Sequence, residues 1–349
     1  MAKDPHACNR IFCIYEDRPK CEVGVRLAIL SLSRSIQHAR VVVFTPRSSA
    51  QLRDWIATQE NVSWQPSPSA NSHGWDTKPY CLLKLLEKGA REVVWLDSDL
   101  IVTGDLIEHL EQTPVDSLIV AEEPSHLPYQ GTGVRTKAWT MPPSRELGFT
   151  VNTSFLRVRP LHQRLLEQWA SMVEHPEYAE AQKLEMLDRP FHLSSDQDLL
   201  GALLGSEEFS SVQVTALRAG TQIVHSGGLL MDRLWHRLRR VFGVKPILFH
   251  AIAMKPWDAF EKHGSVQGFK WSVLRLALET SEYVTIAHSY RKKLGVPCPW
   301  MDWRTPMGRF LLLFEFLGKA VPGLPLALAA ETLRLFGLKR ISRPANPKL

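Results

Sequence analysis

A chain of 349 residues, 44% hydrophobic and 22% charged, can bury one large core or two smaller ones, and this composition excludes a wholly disordered protein. The formal net charge of +6 points to an anionic partner: nucleic acid, an acidic lipid surface or a phosphorylated substrate. Five cysteines, an odd count without paired C-x-x-C spacing, argue against a zinc site and for reduced thiols in the cytoplasm.

The opening "MAKDPHACNRIFCIYEDRP" has no basic stretch followed by a long apolar run, so no secretory signal is expected. "RIFCIY" (Arg10–Tyr15) reads as a buried strand, and "EVGVRLAILSLSRSI" (Glu22–Ile36) carries apolar residues at helical spacing. "ARVVVFTP" is a second strand closed by proline, "SAQLRDWIATQ" a helix and "VSWQP" a short strand. "DTKPYCLLKLLEKG" predicts a helix with Asp76 as N-cap and Gly89 as stop. Then "REVVWLDSDLIVTG" places four apolar residues before an acidic pair, Asp97 and Asp99. "SLIVAEEP" is a further strand ending in acids. The segment from Ser125 to Gly148, rich in Pro, Gly and Ser, reads as a lid or loop. "FTVNTSFLRVRP" is a strand interrupted by Asn-Thr-Ser. "SSDQDLLGALLG" is a helix capped by Ser194 or Ser195, and "KPILFHAIAMKPWD" closes this part with a strand and His250. Strands alternating with helices through short links predict an α/β fold, a mostly parallel sheet with helices on both faces.

Ligands in such sheets bind outside the carboxyl ends of the strands, where Asp97 and Asp99 fall. Two carboxylates on alternate residues at a strand end can reach one hard cation, such as Mg²⁺ or Mn²⁺, that keeps positions open for phosphate oxygens. A bare D-x-D is also a common polar turn or helix cap, so the surrounding motifs decide its meaning.

Those motifs, in order, are "IFCIYED", "DTKPYCLLKL", "VVWLDSDLIV", "VNTSFLRVRP", "SSDQDLLGALL" and "FHAIAMKPWD". Together, over roughly residues 10–260, the chain resembles the GT-A glycosyltransferases of family 8, the glycogenin and lipooligosaccharide galactosyltransferase type. The resemblance implies a GT-A catalytic domain over residues 1–260 and a helical C-terminal extension over 261–349. It implies Mn²⁺ (or Mg²⁺) bound by Asp97, Asp99 and His250, with a UDP-sugar as co-substrate and a saccharide or glycolipid acceptor. Glu16 and Asp17 would contact the base, Thr77, Lys78 and Ser98 the nucleotide sugar, Asn152 the donor sugar and Lys255 the diphosphate. Asp196, Gln197 and Asp198 would hold donor hydroxyls and carry the catalytic roles. The transfer would retain anomeric configuration, by a front-face route rather than through a covalent intermediate on Asp198 or Gln197. Two departures stand out. "HAIAMKPW" is one residue shorter between His and Lys than the family's H-x-x-G-x-x-K-P-W and lacks its glycine, and "NTS" replaces "NSG".

The basic residues concentrate towards the C-terminus. "DRLWHRLRRVFG" (Asp232–Gly243) is basic and amphipathic, and the tail from Met307 sets Arg309, Lys319, Arg334, Lys339, Arg340, Arg343 and Lys348 among Leu and Phe. Glu315, Lys319, Pro322 and Pro325 interrupt any transmembrane span. This pattern predicts either helices covering the catalytic core or a peripheral helix on the anionic inner face of the membrane. No helix-turn-helix, zinc-finger or RNP-like pattern supports nucleic acid. Two other readings remain: a non-catalytic GT-A-fold protein binding a partner or membrane, suggested by the shortened spacing, and a nucleotidyltransferase, whose Gly-rich loop is missing from "IYEDRPKCEVG".

Overall fold

The computed structural model describes residues 9–68, 73–124, 131–228, 233–263, 268–302 and 304–336. The first part alternates as expected: β1 (Arg10–Tyr15), α1 (Glu22–Ser35), β2 (Val41–Phe44), α2 (Ala50–Ala57), β3 (Val62–Gln65), α3 (Lys78–Glu87) and β4 (Glu92–Asp97). Next come β5 (Leu100–Val102), α4 (Leu106–Gln112), β6 (Leu118–Glu122), α5 (Thr132–Ala138), β7 (Val151–Val158), α6 (Gln163–Val173), α7 (Pro176–Gln182) and α8 (Asp196–Leu204). The remainder is β8 (Val214–Leu217), β9 (Ile223–His225), α9 (Leu234–Val241), β10 (Leu248–His250), α10 (Pro256–His263), α11 (Phe269–Glu279), α12 (Glu282–His288), α13 (Pro306–Leu312) and α14 (Leu324–Leu335).

The large sheet has the order β3-β2-β1-β4-β7-β6-β8. It is parallel from β3 to β4 and between β6 and β8, whereas β7 runs antiparallel to both its neighbours. Alternation along β1 explains why both faces are covered. Ile11, Cys13 and Tyr15 join the apolar cluster of α3, α6 and α8, while Phe12 and Ile14 join that of α1 and α2. After β1 the chain builds outwards through β2 and β3 and then returns to β1's other side with β4, register Tyr15 opposite Asp97. In open α/β sheets such a reversal is where a ligand crevice forms, here outside the carboxyl ends of β1 and β4.

Leu100–Val102 resume the apolar run because they form the edge of a second, three-stranded sheet, β5-β10-β9. In it His250 pairs antiparallel with Leu100 and parallel with His225. A third apolar cluster joins Leu27, Ile101 and Phe249 to Trp257, Tyr283, Ala287 and Met301, so residues on both sides of position 260 share one core.

Four local expectations need correction. Asp76 does not cap α3: it lies in a 3₁₀ turn, Gly74–Thr77, and its carboxylate accepts a 2.6 Å hydrogen bond from the Tyr178 hydroxyl instead. The Asn-Thr-Ser block does not interrupt β7, which runs on through Asn152, Thr153 and Ser154, all buried. The pairing with β6 breaks there, with the register passing from Val120↔Leu156 to Ala121↔Asn152, a bulge that frees polar side chains at the crevice. The segment read as a loop contains α5, and only residues 125–130 of it lie outside the described region. Ser195 stands at the N-cap of α8, yet its hydroxyl bonds the Asp198 carboxylate at 2.9 Å rather than the backbone. The expected Gly89 stop is present, with φ of +89°, a conformation glycine adopts without the Cβ clash. The four described cysteines are free and buried, and Cys8 lies outside the described residues.

Candidate functional site

At the crevice, Asp97 ends β4 and Asp99 begins the turn into β5, while β10 delivers His250 from the second sheet. Asp97, Asp99 and His250 can each offer one ligand atom, and these atoms lie within 4.8 Å of one another. Asp99 is buried, its side chain 4% exposed, whereas Asp97 is 27% exposed and opens towards solvent. His250, far on in the chain, therefore meets the acidic pair because β5 and β10 are hydrogen-bonded neighbours.

Lys255 closes this cluster from the other side. Its ammonium donates to the Asp99 carboxylate and, at 2.9 Å, to the Ala251 carbonyl. His250 Nε2 faces Asp99 Oδ1 at 3.4 Å. Burial alone would raise the Asp99 pKa, but the charges of Lys255 and His250 override it and hold the carboxyl well below the usual carboxylate range. Asp99 is thus an anion kept in a dry place by neighbouring positive charge, with the ammonium standing where a cation's charge is wanted. Two carboxylates and one imidazole are a mixed oxygen and nitrogen donor set, better suited to Mn²⁺ than to Mg²⁺, which prefers oxygen alone. The residues present therefore fit a hard divalent cation.

The turn between the two aspartates is pinned from below. Ser98 Oγ donates to Glu16 Oε2 at 2.6 Å, and Arg18 forks onto both Glu16 oxygens at 2.7 and 2.8 Å. Gly24 of α1 packs so closely that an added Cβ would lie 2.8 Å from the Ser98 carbonyl oxygen and 3.1 Å from the Trp257 ring. Asp17 accepts from the Gly74 amide at 2.8 Å and from the Tyr15 hydroxyl at 3.3 Å, tying the end of β1 to the turn that carries Thr77. The structure so places Glu16, Asp17, Thr77 and Ser98 around one wall of the crevice, with both acids already holding protein donors.

Lys78 is the hub of the opposite wall. Its ammonium lies 3.4 Å from Asp97 Oδ1 and 3.3 Å from Asp196 Oδ2, and it donates to Thr153 Oγ1 at 2.8 Å. Thr153 in turn donates to Asp196 at 2.7 Å, and the Trp95 indole donates to Asp97 at 2.8 Å. Burial would lower the Lys78 pKa, yet Asp196 and Asp97 outweigh it, so the ammonium is held charged. Asp196 shows the reverse balance: burial raises its pKa although Lys78 and Thr153 oppose the rise.

Beyond Lys78 the polar contacts form a triangle. Asn152 donates to Glu123 Oε2 at 2.6 Å and to Gln197 Oε1 at 3.3 Å, and Gln197 donates to Glu123 Oε2 at 3.2 Å. Asn152 and Gln197 are brought together, whereas the carboxylate of Asp198 is taken up by Arg135 and Ser195, 2.9 Å from each. Sequence reasoning missed three participants. Glu123, buried and with its pKa raised by that burial, is a second carboxylate beside Gln197, and its only sequence signal was the acidic end of β6. Arg135 sits on the helix read as loop, and His225 has no signature outside its strand. Ala253, where the family pattern has glycine, holds φ of +60°, so the shortened His-to-Lys loop keeps a glycine-like backbone without the glycine.

No protein-family model matches the chain. No curated protein matches its sequence either. Among solved structures, the chain is similar to the bifunctional glycosyltransferase WbbM in its apo form, at 14% identity and a TM-score of 0.45 over 80% of this chain and 51% of that one. It is similar to the galactosyltransferase LgtC in complex with donor and acceptor sugar analogs, at 15% identity and a TM-score of 0.49 over 84% of this chain and all of that one. It is also similar to mouse xyloside xylosyltransferase 1, at 15% identity and a TM-score of 0.41, covering 70% of this chain. This chain spans about half the length of the first of these. At such values the chemistry has to be read from the residues of this chain.

Proposed function

We propose that the protein is a metal-dependent GT-A glycosyltransferase of the family 8 type, transferring a sugar from a UDP-hexose to a hydroxyl acceptor with retention of configuration. The observation that carries this reading is the Asp97–Asp99–His250 cluster at the end of β4, with Lys255 against Asp99. Asp97, Asp99 and His250 would hold Mn²⁺ or Mg²⁺, which offsets charge on a diphosphate leaving group when bound. Lys255 is a mobile-ended cation beside the same spot, and its ammonium can pass from Asp99 to a diphosphate oxygen, adding charge stabilisation where the leaving group develops it. Asp97 is tethered by Trp95 and Lys78, which fixes the more open carboxylate in one orientation.

Thr77, Lys78 and Ser98 would line the nucleotide-sugar path, with Glu16 and Asp17 at the base end; all five are buried beside the acidic pair. Asn152, Gln197 and Asp196 would face the donor sugar, with Asp198 as the anchor of Arg135. Their amide and carboxylate groups suit paired hexose hydroxyls, each of which donates and accepts. For the transfer itself, front-face substitution needs no protein nucleophile. The competing covalent route has Glu123 as its carboxylate, since Asp198 is held by Arg135 and Ser195. A trapped glycosyl adduct on Glu123 in the unmutated enzyme would overturn the front-face reading.

Thermal unfolding with UDP and Mn²⁺, separately and together, tests the class. Stabilisation of several degrees that needs both, and that disappears in Asp97→Asn and Asp99→Asn, is the expected outcome. An unshifted melting curve with both present, at concentrations well above ordinary donor affinities, overturns the metal-dependent reading. Metal-dependent hydrolysis across a set of UDP-sugars then identifies the donor.

We also infer a glycolipid acceptor reached from an anionic membrane surface on the inner face. Exposed Trp235, Phe242, Phe310, Leu313, Phe316, Leu335 and Phe336 crowd onto α9, α13, α14 and the turns between them, elements that pack on one another. No helix of the described residues is long and apolar enough to cross a membrane, so the contact would be peripheral. The tail lysines and arginines beyond residue 336 lie outside the described residues.

A further inference from the structure

We propose that His225 is a positioning residue that locks His250 in the tautomer able to ligate a cation. The inference rests on the metal-site reading of Asp97, Asp99 and His250. The parallel pairing of β9 with β10 sets His225 directly beside His250, and the two rings meet edge to face, 5.2 Å between centroids and 64° between planes. His225 Nε2 lies 2.9 Å from the Glu122 carbonyl oxygen, and the two Nδ1 atoms lie 3.0 Å apart.

The protons can be placed from these contacts. A carbonyl oxygen only accepts, so His225 Nε2 carries a hydrogen. In the neutral ring the Nδ1 of His225 is then the acceptor, and a second hydrogen there would put an added charge on a residue only 3% exposed. The facing Nδ1 of His250 must therefore be the donor. That keeps a hydrogen of His250 on Nδ1 and makes Nε2, the atom 3.4 Å from Asp99 Oδ1, the position that would give its lone pair to a cation held there. The relay from the Glu122 carbonyl through His225 thus prepares His250 as an electron-pair donor towards the acidic pair. Metal-bound histidines commonly donate their other N–H to a carboxylate, carbonyl or water, which fixes ring and tautomer. Here a second imidazole takes that place. Without it, His250 can carry its hydrogen on Nε2 and donate to Asp99, which blocks ligation.

The direct measurement is the tautomer of His250 in the metal-free, unmutated chain, read from long-range ¹H–¹⁵N correlations of ¹⁵N-histidine-labelled protein and assigned with His250→Asn. Hydrogen on Nδ1 is expected; a bare Nδ1 with the hydrogen on Nε2 alone overturns the proposal. Titration with Mn²⁺, followed by electron paramagnetic resonance, supplies the second readout. His225→Leu should weaken Mn²⁺ binding about 10–100-fold. His225→Asn, whose amide keeps an acceptor towards His250, should recover most of that loss. If wild type binds Mn²⁺ and His225→Leu binds it equally well, the positioning role fails while the metal site stands. If wild type binds no Mn²⁺, the metal-site reading fails and the proposal with it. Should His225→Leu not fold, the tautomer measured in the unmutated chain decides.

Discussion

At the scale of single residues, burial and neighbouring charge compete to set proton affinity, and burial wins at Asp76, Glu123 and Asp196. Asp76 illustrates this most simply. Burial pushes its carboxyl up to about 7, although the Tyr178 hydroxyl bond pulls the other way. Its folded pKa lies above the unfolded value of 3.8, so the native state holds a proton that the unfolded chain has released between those two values. Stability contributed by this group is therefore lost as pH rises from about 4 towards 7 and stays lost above it. Asp76→Asn keeps an acceptor for Tyr178 and removes the ionisation. Urea unfolding should show the variant more stable than wild type by about 1–2 kcal/mol at pH 8, with the difference shrinking at pH 5. A difference independent of pH would remove Asp76 from the account.

At the scale of elements, the loop from β10 to α10 carries the strain. Lys255 folds back onto the carbonyl of Ala251 and onto Asp99, and Ala253 takes the left-handed conformation that makes the turn. An alanine there meets the Cβ–carbonyl clash that glycine avoids. Ala253→Gly should leave Mn²⁺ and UDP binding in place and raise stability by about 0.5–1 kcal/mol, measured by chemical unfolding. A clear loss of stability would mean that the alanine methyl packs usefully, outweighing the strain. The short spacing between His250 and Lys255 thus makes a tight turn that still presents His250 to Asp99.

At the scale of the whole molecule, the helices after position 260 are built into the α/β part. Arg240 of α9 forks onto Glu282 of α12 at 2.7–3.2 Å and donates to the Gly220 carbonyl at 3.0 Å, with both charged side chains nearly inaccessible. Arg237 donates to the Ala320 carbonyl at 3.1 Å. The stretch read as a basic amphipathic surface therefore turns two of its arginines inward and leaves Trp235 and Phe242 outside. Arg240→Ala strands a buried carboxylate and should cost about 3–5 kcal/mol, measured by calorimetry or urea unfolding. For the membrane reading, Phe316→Ser with Leu335→Ser and Phe336→Ser removes exposed apolar groups without touching the core. Flotation with vesicles containing anionic lipid should fall at least several-fold in this variant and be weak on neutral vesicles for both proteins. Equal flotation of variant and wild type would sink the peripheral contact.

Much of this protein was legible along the chain because it depends on local pattern. Runs such as Arg10–Tyr15 and Val41–Phe44 are strands because β-favouring side chains bury on both faces of a parallel sheet, and Gly89 ends a helix through its own backbone freedom. The acidic pair was visible as well, since the end of an apolar run followed by D-x-D needs no distant partner to be noticed. What only the tertiary structure decided is how charges and protons are shared across distant strands. Lys78 links Asp97 to Asp196, Arg135 removes Asp198 from the crevice, Glu123 joins Gln197, and His225 meets His250 through its own Nδ1. None of these has a signature in one stretch, because an ion pair or a tautomer is fixed by which atoms lie within about 3 Å in a dry environment, and that is a property of strand order and register rather than of sequence neighbours.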